Sequence, residues 1–118
     1  MSIERGDVYL ARFPHASGSR GKRRPVVVVQ ADVYNQRLRH AVVAQLTTNL
    51  SDKDDPACLL VEAESPEGRA AGLSKDSVLS GYLLSLMSED RLIDRIGRLP
   101  EETMQKAKHC LQAALDLR

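Results

Sequence analysis

Apolar and polar positions alternate in short runs along most of the chain, and only its end adopts a helical period. Val8 and Leu10 point one way and Tyr9 and Ala11 the other, so residues 5–11 predict a first strand. Val26-Val27-Val28-Val29 sets four β-branched residues in a row. That run predicts a strand buried on both faces and is too short for a helix of its own. Between them, residues 14–25 are rich in Gly, Ser and Pro and predict a loop. Asp32-Val33-Tyr34-Asn35 predicts a turn or one short helix, residues 41–47 a strand ending in Thr47, and residues 48–56 a polar loop. Short strands are expected over 59–61 and 77–79, around a turn at Ser65-Pro66-Glu67-Gly68. Ser88 suits an N-cap with Glu89 and Asp90 in the first turn, predicting a short helix over 88–92, and 96–99 reads as a last strand. Pro100 suits the first position of a closing helix, along which Met104, Ala107, Leu111, Ala114 and Leu115 recur at helical spacing. Strands this short and closely spaced suggest one small, strongly curved antiparallel barrel over 1–118.

Composition adds limits. The 118 residues are 42% hydrophobic and 28% charged, ordinary for a globular domain that needs no disulfides. Cys58 and Cys110 lie far apart, without metal-ligand spacing, and read as reduced thiols. No apolar run spans a membrane and no apolar segment follows a basic start, so a cytoplasmic protein without a signal peptide is expected. The net charge of +1 hides a polarity: residues 1–40 carry eight Lys and Arg against three acids, the remainder nine against thirteen. The first stretch favours a polyanion.

A polyanion with its own nucleophile is RNA. Its ribose 2′-OH attacks the adjacent phosphate when a proton acceptor, a cation and a proton donor are supplied. Three residues stand where such groups are needed. Arg24 lies between a basic loop and a rigid strand, and Pro25 biases it to an extended conformation. A guanidinium so anchored holds a phosphate at two points; by composition alone, a solvated loop arginine is the simpler reading. Thr47 ends an apolar strand, where its hydroxyl either reaches a ligand or bonds its own backbone. Asp76, beside Lys75 and before a short strand, either relays a proton or caps a turn. His15 at the edge of the loop is the one histidine placed to act on a ligand. There is no Gly-rich phosphate loop, His-Glu-x-x-His, paired Cys or Gly-x-Ser-x-Gly, and neither a metal nor a cofactor is expected.

In order, these residues resemble the MazF/PemK (Kid-type) toxins. The resemblance runs from Arg5-Gly6-Asp7-Val8-Tyr9 through Arg24-Pro25-Val26-Val27-Val28-Val29-Gln30, Asn35 and Val43-Ala44-Gln45-Leu46-Thr47. It continues through Lys75-Asp76-Ser77-Val78 to Pro100-Glu101-Glu102-Thr103-Met104. It implies a β-rich α+β fold, a half-open SH3-like barrel with a short helix and a C-terminal helix, assembled as a homodimer. It implies metal-independent, sequence-selective cleavage of single-stranded RNA in a bacterial or archaeal cytoplasm, and a cognate antitoxin that blocks the site. Matched residue by residue, it places catalysis on Arg24 and Thr47 with Asp76. Arg20, Lys22, Arg23, His15, Thr48 and Lys75 would bind RNA around them. Lys22 and Arg23 stand where many members carry small residues, and Tyr82-Leu83-Leu84-Ser85-Leu86 is apolar where relatives are often polar and basic. With aromatics only 3% of the chain, hydrogen bonds rather than stacking are expected to read splayed bases. A gyrase-poisoning or RNA-binding protein on the same scaffold is the alternative.

Overall fold

The structure, a computed structural model, describes residues 2–13 and 22–118. The predicted loop segment 14–21, with His15 and Arg20, lies outside the described residues. Six strands form one sheet: β1 (Asp7–Phe13), β2 (Lys22–Val28), β3 (His40–Thr47), β4 (Cys58–Val61), β5 (Ser77–Ser88) and β6 (Leu92–Arg98). Their order is β4-β5-β3-β2-β1-β6 and every pairing is antiparallel. β4 and β6 end the sheet without pairing with each other, so the barrel is half open. Helices α1 (Asp32–Asn35), α2 (Pro66–Ala70) and α3 (Glu101–Leu115) complete the domain. Among the described residues no helix is long and apolar enough to cross a membrane.

The valine run is buried on both faces, as its composition predicts. Val27 and Val29 join Val8, Ala44, Leu46 and Leu79 in a core that α3 closes with Met104 and Ala107. Val26 and Val28 join Tyr9, Ala11, Val43 and Met87 on the other side of the sheet. Each such valine contributes about 1.5–3 kcal/mol by leaving water. Cys58 and Cys110 are free thiols packed as small apolar groups.

Several expectations are corrected. Residues 22–25, expected in a loop, belong to β2, and the last strand, expected over 96–99, runs from Leu92 to Arg98. The strand expected over 77–79 runs on to Ser88, because the chain bulges rather than stops at Gly81. A Cβ there would lie 2.8 Å from the carbonyl oxygens of both Ala57 and Cys110, so only glycine lets β5 pass. The turn at 65–68 opens α2: Ser65 Oγ accepts the Gly68 N–H at 3.1 Å, a proper N-cap. Residues 89–91 form a single 3₁₀ turn, and the Ser88 side chain makes no cap bond. Pro100 sits one position before α3, at its N-cap, and Leu115 is exposed rather than part of the buried stripe.

Candidate active site

The site begins where one strand pair comes apart. β2 and β3 pair at Val28↔Val43, Val27↔Ala44 and Val26↔Gln45, and no further. Pro25 follows, a residue with no N–H to extend a ladder. Residues Lys22 to Pro25 keep their partners on β1, from Phe13 to Leu10, so they stay extended while their β3 side lies open. Continuing the same register sets Arg24 opposite Thr47. Alternation along each strand also puts both on the face that carries Val26 and Val43. The separation opens a groove of about 510 Å³ lined by Lys22, Arg23, Arg24, Pro25, Gln45, Leu46, Thr47, Thr48 and Lys75.

Six of the nine residues singled out from the sequence meet in this groove: Arg24, Thr47, Lys22, Arg23, Thr48 and Lys75. His15 and Arg20 fall outside the described residues. Asp76 is not on the groove wall. Its Oδ1 accepts the Ala63 N–H at 2.8 Å, tying the turn before β5 to the end of β4. Thr47 combines both readings of a strand-end threonine: Oγ1 accepts the Asn49 N–H at 3.1 Å, which leaves its own O–H to donate elsewhere. Arg24 is exposed and makes no salt bridge among the described residues. Arg23 lies 3.7 Å from Asp94, but both side chains are more than half exposed, so the pair is weak and yields readily to a phosphate.

Two smaller cavities adjoin. One, of about 370 Å³, shares Arg23, Pro25, Thr48 and Lys75 with the groove and has Leu10, Leu73 and Ile96 among its apolar lining. The other, of about 100 Å³, starts from Thr47 and is lined by Asn49, Asp52, Cys58, Val78, Ser80 and Leu83. Gln45, two positions before Thr47 and therefore on its face, was not singled out from the sequence although strand alternation marks it. Asn35 serves the scaffold: its Oδ1 accepts from Gln30 Nε2 and its Nδ2 donates to the Gln30 backbone carbonyl, each at 2.9 Å, which fixes the turn between β2 and β3. Among the described residues no three His, Cys, Asp or Glu side chains gather as they would around a metal ion.

An open antiparallel barrel with a groove of cations and strand-end hydroxyls is the build of a small polyanion-binding protein. Residues 4–115 match the family described as the PemK-like, MazF-like toxin of type II toxin-antitoxin system. The chain belongs to that family. Endoribonuclease EndoA of Bacillus subtilis (strain 168) is 33% identical over 118 residues, covering 99% of this chain and 97% of that protein. Endoribonuclease MazF6 of Mycobacterium tuberculosis (strain ATCC 25618 / H37Rv) is 33% identical over 119 residues, covering 99% and 100%. An endoribonuclease solved in complex with its cognate antitoxin, from Mycobacterial species, shares the fold. Its TM-score is 0.74 at 20% identity, over 99% of this chain and 96% of that one.

Proposed function

We propose that this protein is the toxin of a type II toxin-antitoxin pair, an endoribonuclease that cuts single-stranded RNA by turning the substrate's 2′-hydroxyl on its own phosphate. The observation that carries this reading is the continued register that brings Arg24 and Thr47 into one groove at the end of the β2–β3 ladder. The Arg24 guanidinium takes the non-bridging oxygens of the scissile phosphate and stabilises the charge that builds there. The Thr47 hydroxyl donates to the same phosphate and fixes its angle. Lys22, Arg23, Lys75 and Thr48 hold the flanking backbone, and His15 and Arg20 add to that contact. Asp76 supports the groove through Ala63 rather than by touching substrate. The working unit is a homodimer in the cytoplasm, and a cognate antitoxin silences it by covering the groove.

Purified protein incubated with a long RNA in EDTA is expected to cut it at a few sequences, leaving 2′,3′-cyclic phosphate and 5′-OH ends. An RNA with 2′-deoxyribose at a mapped cut site is expected to survive. Cleavage of that RNA would exclude 2′-OH attack, and intact RNA together with trapped gyrase would favour a non-enzymatic toxin.

A further inference from the structure

Cleavage by 2′-OH attack needs a proton acceptor, and among the described residues the lining of the cationic groove offers none. Its nine lining residues are cations, hydroxyls, an amide and two apolar groups; no carboxylate or imidazole is among them. Three neighbouring acids lie outside the lining of all three cavities described above. Asp76 holds Ala63, Asp94 faces Arg23, and Asp55 Oδ1 accepts the Ala57 N–H at 2.8 Å. Among the described residues that line these cavities, one is a carboxylate. Asp52 lines the cavity of about 100 Å³ that opens from Thr47, so a single threonine borders both the cation groove and an acid.

We propose that Asp52, held in place by the Tyr82 hydroxyl, is the proton acceptor for the attacking 2′-OH. The assignment rests on the endoribonuclease reading above and adds the group that reading lacks. Tyr82 O–H donates to Asp52 Oδ2 at 2.7 Å, while Oδ1 accepts no bond among the described residues and is left to take a proton. The loop is pinned from its other side as well. The Asn49 N–H reaches Thr47 Oγ1 and the Ser51 N–H reaches Asn49 Oδ1, each at 3.1 Å, so Asp52 is placed relative to Thr47 itself. The Asp52 carboxylate, first, and then Cys58 push the Tyr82 phenol well above its ordinary value. It stays a neutral donor throughout. The exposed tyrosine at the head of the apolar 82–86 run thereby gains a purpose: it is a positioning residue.

The step balances. Asp52 takes the proton from O2′ and O2′ bonds to phosphorus. The P–O5′ bond breaks, and O5′ leaves with a proton from a water molecule while the Arg24 guanidinium keeps its charge on the phosphate. Protonated Asp52 then gives its proton to the hydroxide left by that water, and no oxidant or further reactant enters.

The test uses an RNA oligonucleotide with one mapped cut site, and its 2′-deoxy counterpart as an uncleavable binding probe. Asp52→Asn is expected to lower kcat 100-fold or more, within the range known for losing a general base, with probe affinity within twofold of wild type. Asp52→Glu is expected to recover part of the rate. Tyr82→Phe is expected to lower kcat about tenfold at unchanged KM, which separates positioning from binding. A loss below tenfold in Asp52→Asn, or probe affinity falling in step with cleavage, overturns the proposal. Wild-type protein that cuts no RNA would instead remove the endoribonuclease reading on which it stands.

Discussion

Arginines on the two strands that flank β1 do opposite work. Arg95 and Arg98 on β6 converge on Asp7, a carboxylate only 2% exposed, through bonds of 3.0 and 2.9 Å to its Oδ1, while the Glu4 N–H meets Oδ2 at 3.0 Å. Every acceptor position on that acid that needs a donor has one, and the cluster locks β1 to β6. Arg24 on β2 has no such partner among the described residues and lines an open groove. Residue type is the same in both places. What differs is whether a buried acid claims the guanidinium, and that decides whether it holds the fold or waits for a phosphate.

The largest effect should come from breaking the open side. Arg24→Ala is expected to lower RNA cleavage by 10³-fold or more, about 4 kcal/mol of transition-state stabilisation. Its Tm should stay within a degree or two of wild type, because its side chain makes no salt bridge among the described residues. Arg24→Lys sharpens the point: it keeps the charge and loses the two-point fork, so cleavage should fall at least tenfold. Single-turnover kinetics on a defined RNA, with thermal melting beside them, check both. A large Tm drop in Arg24→Ala would place Arg24 with the structural arginines.

The paired side should respond in the opposite sense. Asp7→Ala removes the acid and leaves two guanidiniums and a backbone N–H facing each other, which is expected to destabilise the fold by about 3 kcal/mol. For a domain of this size that is a Tm roughly 10 °C lower. The fraction still folded should cut RNA at close to the wild-type rate. Unaltered stability would mean the Asp7 cluster adds nothing net, as some buried ion pairs do.

How far each side could be read from the chain follows from the distances involved. The valine strand and Thr47 at a strand end are local patterns and sit where the pattern puts them, whereas Arg24, expected at the end of a loop, lies inside β2. The groove itself was legible because both of its strands carry polar residues where an apolar run stops. The Asp7 cluster joins residues 88 and 91 positions apart in the chain, and no local signal links them. The second half of β5 was hidden because Tyr82, Leu83, Leu84 and Leu86 break the alternation that marks a strand; its apolar side chains are largely exposed there. Asp76 and Asp52 show the same limit. Both are loop acids, and only the fold reveals that one holds a backbone N–H while the other borders Thr47.

Within the groove, a smaller effect grades the cations. Lys75→Gln removes one phosphate contact without touching Arg24 or Thr47. The slope of log binding constant against log salt for a single-stranded RNA should become shallower by about 0.7. Arg23→Gln should change it by no more than that, since part of the arginine's charge already faces Asp94. A slope unmoved by Lys75→Gln would take that lysine off the RNA path. The uncleavable 2′-deoxy oligonucleotide titrated at several salt concentrations gives the measurement.

The smallest expected effect concerns an acid that resembles Asp7 in kind but not in burial. Asp32, at the start of α1, accepts the Arg5 N–H at 2.6 Å and the Asn35 side-chain amide at 3.1 Å. The Arg5 backbone bond, chiefly, holds its carboxyl below the ordinary value. The folded chain therefore binds this proton less readily than the unfolded chain does, so stability from Asp32 is complete above the ordinary carboxylate range and fades as pH falls through it to the lower folded value. Asp32→Asn keeps the shape and removes the titration. Plots of unfolding free energy against pH for the variant and wild type should run parallel near neutrality and converge on the acid side. Asp7→Asn, by contrast, should stay less stable than wild type across the neutral range, where the buried acid's two guanidiniums have lost their counter-charge. Parallel curves at every pH for Asp32→Asn would mean that the Arg5 bond exists without favouring the ionised acid, and α1 would then be held by the Gln30–Asn35 exchange alone.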